Sequence, residues 1–194
     1  MKKRIVALAV SAICLATVAS STLAYFTDEQ HVHNILTSGG ISIQVVETMQ
    51  GEGDAMVEFP KEGLRGIMPG TVVSKTVQIQ NTGANEAWIR VKVDSSIIDA
   101  DGKNLALNLQ DGTEVITYDV LDGWQPGTDG YFYYEKPVPI QMLTTPLFET
   151  VRFAPQMGNE YQNCTANIVI SAQAVQTANN GDTVMDASGW PTAY

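Results

Sequence analysis

Three stretches of the chain alternate between apolar and polar residues, and this pattern limits the fold more than any other feature of the sequence. They are residues 71–80, 87–93 and 166–177. A period of two places every second side chain on the same face of a β-strand, so each stretch is predicted to be a strand with one buried face. An Asn-Thr-Gly turn at residues 81–83 separates the first two stretches. The sequence therefore predicts a β-hairpin over residues 71–93.

Shorter runs with strand character fill much of the remaining chain, and they are bounded by Gly, Pro, Asn and Asp. These runs are residues 41–47, 115–120, 131–134 and 147–153. No sustained helical period follows residue 24. About eight to ten short strands without intervening helices are typical of an antiparallel β-sandwich. We therefore predict one all-β domain over residues 41–177, a length that permits a single core.

The N-terminus carries the three parts of a secretory signal peptide over residues 1–24. A cationic start, Lys-Lys-Arg at residues 2–4, precedes an apolar run over residues 5–19 and small residues before Tyr25. Cleavage is predicted between Ala24 and Tyr25. A retained membrane anchor is the alternative, but the apolar run is shorter than the roughly 20 residues that span a bilayer. The mature chain is expected to be secreted and to contact the membrane only during export.

The mature chain would be strongly acidic. The whole chain has 11 Lys and Arg against 21 Asp and Glu, and cleavage after Ala24 removes three cations and no acid, which leaves a net charge of −13. Such a surface repels nucleic acid phosphates and anionic membranes, so neither is expected as a partner. Only Cys164 remains in the mature chain. It cannot form an internal disulfide, and burial is its expected fate.

Residues 25–40 form a polar arm that carries both histidines of the protein, His31 and His33. Two residues apart on an extended chain, they would point to the same side and could form a weak metal pair. A zinc site needs about three protein ligands, and the chain has no His-Glu-x-x-His motif. It also lacks a Gly-x-Ser-x-Gly motif and a Gly-rich phosphate loop. We therefore predict no catalytic residue, no bound metal and no cofactor.

Aromatic residues suggest one possible ligand surface. Tyr131 and Tyr133 lie in an aromatic run, and Trp124 is close to them in sequence. These three side chains could stack against sugars, although alternate rings of such a strand more often belong to a core.

The C-terminal segment, residues 178–194, is polar and lacks a strand period, so it is predicted to be a loosely ordered tail.

Several short motifs, taken in chain order, resemble those of the TasA/camelysin (CalY) family of bacterial biofilm matrix and cell-surface proteins. A SipW-type signal peptidase cleaves the signal peptides of this family during export. The matching segments are residues 22–28, the Pro-Gly turn at 67–70, Lys75 in the next strand, the turn at 81–83 and the closing strand at 170–176. Residues 123–124, 129–134 and 144–148 look more like the BsaA-type branch. The matches touch both ends and the middle of the chain.

The resemblance implies a jelly-roll or Ig-like β-sandwich preceded by a helical signal peptide. It also implies assembly into matrix fibres, in which the N-terminal strand of one subunit completes a neighbour's sheet. Mapped onto this chain, the donor strand would run from Tyr25 to about Leu36, with Phe26, Val32 and Leu36 as inward side chains. The implied partners are further copies of the chain and a SipW-type signal peptidase, with other matrix proteins or polysaccharide as further candidates.

The leading hypothesis is therefore a secreted structural subunit of biofilm matrix or cell-surface fibres, without enzyme activity. A camelysin-like secreted metalloendopeptidase is one alternative, because the family carries that label, but no zinc motif supports it here. A carbohydrate-binding surface module is the other alternative, and it would use Trp124, Tyr131 and Tyr133.

Overall fold

The computed structural model describes residues 40–60, 64–65 and 68–191. The predicted signal peptide, its cleavage site and most of the arm lie outside these residues. The predicted features outside them are the Ala24/Tyr25 cleavage site, the donor-strand residues Phe26, Val32 and Leu36, and the histidines His31 and His33. Within the described part of the chain, no helix is long and apolar enough to cross a membrane.

The described residues contain eleven β-strands and two short 3-10 helices, and no α-helix. The strands are β1 (Ile43–Gln50), β2 (Met56–Glu58), β3 (Leu64–Arg65), β4 (Val72–Ser74), β5 (Thr76–Asn81), β6 (Ala87–Ile98), β7 (Ile116–Tyr118), β8 (Trp124–Pro126), β9 (Phe132–Tyr134), β10 (Thr150–Phe153) and β11 (Thr165–Gln176). The 3-10 helices are Glu52–Asp54 and Asn159–Tyr161.

The strands form three antiparallel sheets. Their strand orders are β2-β1-β5, β4-β10-β7 and β3-β11-β6-β9-β8. The longest pairing joins β6 to β11 over all twelve residues of each strand. The predicted all-β, antiparallel fold is therefore confirmed.

The predicted hairpin between the two clearest strands is wrong. β5 pairs with β1, whereas β6 pairs with β11 and β9, so the connection between β5 and β6 passes from one sheet to another. The buried Asn81 side chain fixes this connection by donating to the carbonyls of Asn85 and Val138, both at 2.8 Å. Gly83 lies so close to β1 that an added Cβ would stand 2.6 Å from the Ser42 nitrogen. The turn residues therefore hold the chain against β1 instead of folding β6 back onto β5.

The inward-facing side chains of the three sheets share one hydrophobic core. Val77 and Ile79 of β5, Ile89 and Val91 of β6, and Ala174 of β11 are all nearly fully buried. The alternation in the sequence therefore identified the buried faces correctly. Cys164 is also buried, and burial raises the pKa of its thiol.

Among the side chains that the structure describes, Lys75 is the one charged group that is fully buried with this core. It is 2% exposed, and its Nζ donates to the Oε1 of Glu47 at 2.7 Å. The same ammonium lies 3.8 Å from the centroid of the Phe59 ring. Burial lowers the pKa of Lys75, and the Glu47 carboxylate opposes this shift. The charge is thus held by one carboxylate and one aromatic face.

The segment after β11 was expected to be loosely ordered, but its described part, residues 178–191, packs on the outer face of β6 and β11. Val184 is 1% exposed in a small cluster with Trp88 and Val175. The indole N–H of Trp88 donates to the carbonyl of Asn180 at 3.2 Å. A few apolar residues in a polar segment were enough to fix it to the sheet. The polar composition of the segment as a whole did not indicate this packing.

Candidate functional site

The three aromatic candidates do not form one surface. Trp124 is buried in the main core, where its ring centroid lies 5.0 Å from that of Tyr134 and its indole N–H donates to the carbonyl of Thr145. Tyr133 belongs instead to the outer cluster that contains Trp88. Neighbouring residues of a strand point to opposite faces, so Tyr133 and Tyr134 cannot serve the same site.

Tyr133 takes part in a polar network around Arg90. The Nε and Nη2 of Arg90 donate to the Oε1 of Gln173 at 2.9 and 2.7 Å. Its Nη1 donates to the Tyr133 hydroxyl at 3.0 Å and to the Oδ2 of Asp129 at 3.1 Å. Although desolvation raises it, the pKa of the Asp129 carboxyl is held below its usual value by hydrogen bonds from the Tyr133 hydroxyl and the Tyr131 N–H.

Two aromatic rings lie against the same guanidinium. The Cζ of Arg90 is 4.1 Å from the ring centroid of Tyr131 and 4.6 Å from that of Trp190. A guanidinium stacks well on aromatic faces, so the cluster fastens residues near the C-terminus to β6. The sequence did not indicate a role for Trp190, because the other members of the cluster are distant in the chain. Arg90 is 100 positions before it and Tyr131 is 59 positions before it. Arg90 covers one face of the Tyr131 ring and one face of the Trp190 ring, which argues against sugar stacking on those faces.

Replacing Arg90 by Lys is expected to lower the free energy of unfolding by about 2 kcal/mol, because an ammonium cannot reproduce the planar hydrogen bonds and ring contacts. Urea denaturation would measure the change, and Trp190 fluorescence should shift towards that of an exposed indole. Lys92→Met is the matched control, since Lys92 lies on the same face of β6 and forms only an exposed pair with Asp94. Equal effects of the two substitutions would contradict the fastening role of Arg90.

A groove of about 520 Å³ lies between β6 and β7 and is the more promising site. Its apolar lining comes from different parts of the chain. The apolar residues are Val93, Leu107, Ile116, Tyr118, Val120 and Phe132. Asp94 and Glu114 also line the groove, and none of the described residues that line it carries a positive charge. Burial raises the pKa of the Tyr118 hydroxyl, and these two carboxylates raise it further.

One side of the groove is an open edge of β6. The Thr177 N–H donates to the Glu86 carbonyl, and Glu86 is the residue just before β6. Hydrogen-bonded and non-bonded pairs alternate along an antiparallel ladder, so the even-numbered residues of β6 form the hydrogen bonds to β11. The main-chain groups of odd-numbered residues therefore point away from β11. Among these are Val93 and Ser95, which both line the groove.

The same edge of β6 is paired before and after this gap. Val91 pairs with Phe132 of β9, and the carbonyl of Ile97 accepts from the Leu105 N–H at 2.8 Å. Within residues 40–60, 64–65 and 68–191, no strand pairs with the intervening residues 92–96 on this side. Five residues of a strand span about 16 Å, which is enough for one short added strand.

The other side of the groove is the edge of β7. The Ala154 N–H donates to the Val115 carbonyl, so the main-chain groups of Ile116 and Tyr118 point away from β10. In the described part of the chain, β10 is the only strand that pairs with β7. The groove therefore has main-chain donors and acceptors on both sides and apolar side chains along it, an arrangement suited to an extended peptide.

The other predicted candidates were not brought into a site. The described residues contain no group of three His, Cys, Asp or Glu side chains that could hold a metal ion. His31 and His33 lie outside those residues, so the weak metal pair stays a prediction. Comparisons of the chain with models of known protein families, with characterised proteins and with solved structures found no match.

Proposed function

We propose that this chain is a secreted structural subunit of extracellular biofilm matrix or cell-surface fibres, and that its copies join by N-terminal strand addition after cleavage at Ala24/Tyr25. Within the antiparallel all-β class, we infer a jelly-roll or Ig-like β-sandwich, because the sheets share one core. The observation that carries the proposal is the groove beside β6, whose edge is paired on both sides of an open stretch.

The groove offers what an added strand needs. Main-chain groups at Val93 and Ser95 can extend the β6 sheet, which would give the incoming segment hydrogen bonds whatever its sequence. Apolar side chains such as Leu107 and Tyr118 would then select partners with apolar residues at alternate positions. Occupancy would also remove an open strand edge, which otherwise favours indiscriminate pairing.

The arm of a second copy is the occupant that we favour. Residues 25–39 can reach at most roughly 50 Å when extended. The gap of five residues matches the segment Val32–Leu36, because Val32 and Leu36 would both face the groove with only Asn34 between them. Phe26 lies too far along the arm to enter the same short gap.

The position of the groove favours open fibres over closed dimers. The arm joins the described chain at Gly40, near the end of β1 where Ile43 pairs with Asn81. Val93 lies six residues along β6 from Ala87, or about 20 Å from that end. Donor and acceptor are therefore different surfaces, and such head-to-tail contacts generate filaments when the rotation does not close.

Deleting the arm tests the proposal. Residues 25–194 are expected to form fibres that electron microscopy and pelleting detect, whereas residues 37–194 should stay soluble. A full-length mature variant with Val32→Ser and Leu36→Ser keeps the arm's length and should also fail to assemble. Fibres of equal yield from the truncated chain, or none from the intact mature chain, would refute strand addition by the arm.

A further inference from the structure

A short loop exposes three large apolar side chains at one end of the fold. Ile140, Met142 and Leu143 are 50%, 56% and 43% exposed. Single exposed apolar residues are common, but three within four consecutive positions make a patch that is typical of a contact surface. We call residues 139–143 the apolar loop.

The apolar loop has a fixed main-chain conformation. The Met142 N–H donates to the Pro139 carbonyl at 3.1 Å, which closes a turn. Gln141 has a φ of 64°, in the left-handed region that usually favours glycine. The loop is also anchored to Asn81, which accepts from the Gln141 N–H at 2.8 Å and donates to the Met142 carbonyl at 3.0 Å. Its apolar side chains are thus presented by a well-bonded turn.

The apolar loop lies at the end of the sheet from which the arm leaves. Asn81 bonds to the loop on one side and pairs with Ile43 of β1 on the other. The described chain begins three residues before Ile43, at Gly40, whose carbonyl accepts from the Ala84 N–H at 2.9 Å. A partner bound through the arm would therefore be held close to this loop.

We propose that the apolar loop is a contact surface between successive copies of this chain, where it packs against the neighbour that receives the arm. This inference rests on the proposed function, because the arm is what brings the second copy to this end. An arm seated in a neighbour's groove has few residues left to span the space between copies. The two bodies must then touch, and burying apolar side chains at that point favours the contact. The apolar loop thus adds a second contact to the strand addition and fixes how one copy sits on the next.

The test is the double variant Ile140→Asp and Met142→Asp in the mature chain. The hydrogen bonds that hold the loop are made by its main chain, so the fold should be retained. The matched control is Met56→Asp with Met185→Asp, two methionines that are 54% and 51% exposed elsewhere on the fold. Both variants add two negative charges, so general repulsion affects them equally. Fibre yield by pelleting should fall at least tenfold in the loop variant and less than twofold in the control.

A second measurement separates this contact from the groove. A synthetic peptide of residues 25–37 is titrated against residues 37–194 with and without the loop substitutions, and the two dissociation constants should agree within twofold. If the wild-type mature chain forms no fibres, the proposed function fails, and this inference fails with it. If it forms fibres and the loop variant does so equally well, the contact is refuted while the proposed function stands. Weaker peptide binding to the chain with the loop substitutions would also overturn the contact. So would a loop variant that still forms fibres but no longer binds phosphatidylcholine vesicles, because the loop would then be a membrane-binding surface.

Discussion

Replacing Glu47 by Gln is expected to lower the free energy of unfolding by about 3 kcal/mol, because it leaves the ammonium of Lys75 buried without a countercharge. Removing one partner of a buried ion pair typically costs about 3–5 kcal/mol. Glu47 is 21% exposed, so part of its charge is already solvated and the lower end of that range applies. The Phe59 ring contributes to holding the cation but cannot replace a carboxylate.

Urea denaturation of the mature chain below its assembly concentration would measure this effect. Glu58→Gln is the matched control, since Glu58 is an exposed acid on the neighbouring strand β2 and its loss should change little. Lys75→Met should cost less than Glu47→Gln, because it leaves a carboxylate that water can reach. A Glu47→Gln variant as stable as Glu58→Gln would show that Lys75 does not depend on this partner.

Replacing Ser95 by Pro is expected to reduce fibre yield at least tenfold while the monomer still folds. The Ser95 N–H points into the groove and away from β11, so proline removes a donor that only an added strand would use. The β6–β11 ladder uses the main-chain groups of Asp94 and Ser96 on either side, and these are untouched. Pelleting would measure assembly, and circular dichroism with urea denaturation would verify the fold.

Two further substitutions make this result specific. Ser95→Ala keeps the N–H and should assemble like the wild type. Ser96→Pro removes an N–H that bonds to β11, so it should destabilise the monomer itself. If Ser95→Pro assembles as well as Ser95→Ala, then the incoming strand does not join β6 at this edge.

The periodicity of the sequence predicted the buried face of each strand more reliably than it predicted which strands pair with one another. Alternation in 87–93 and 166–177 identified the buried sides of β6 and β11, because burial acts on each strand separately. Which strand lies next to β5 depends on long-range contacts, such as that of Asn81 with Val138, 57 residues further along the chain. A local Asn-Thr-Gly turn fits both a hairpin and a crossing between sheets, so composition alone could not decide.

The candidate groove was hidden from the sequence for a similar reason. Val93 and Ser95 continue a regular alternating strand, and nothing in them indicates that a neighbouring strand stops short. The nearest signal was the alternation of Leu105, Leu107 and Leu109, a strand-like pattern in a region that forms only isolated bridges. The aromatic run misled in the opposite way. Trp124 and Tyr133 are close in sequence, but the pleat places them on opposite faces of the same sheet.

The long pairing of β6 with β11 also determines when this protein can fold. Each pair in that ladder joins residues that are between 67 and 89 positions apart in the chain. Closing such loops costs entropy before any contact compensates for it, and sheets built this way typically form in milliseconds to seconds. The β6–β11 ladder cannot begin to form until residues 165–176 have been synthesised. Until β11 follows, one edge of β6 therefore lacks its partner and must avoid pairing with a wrong strand.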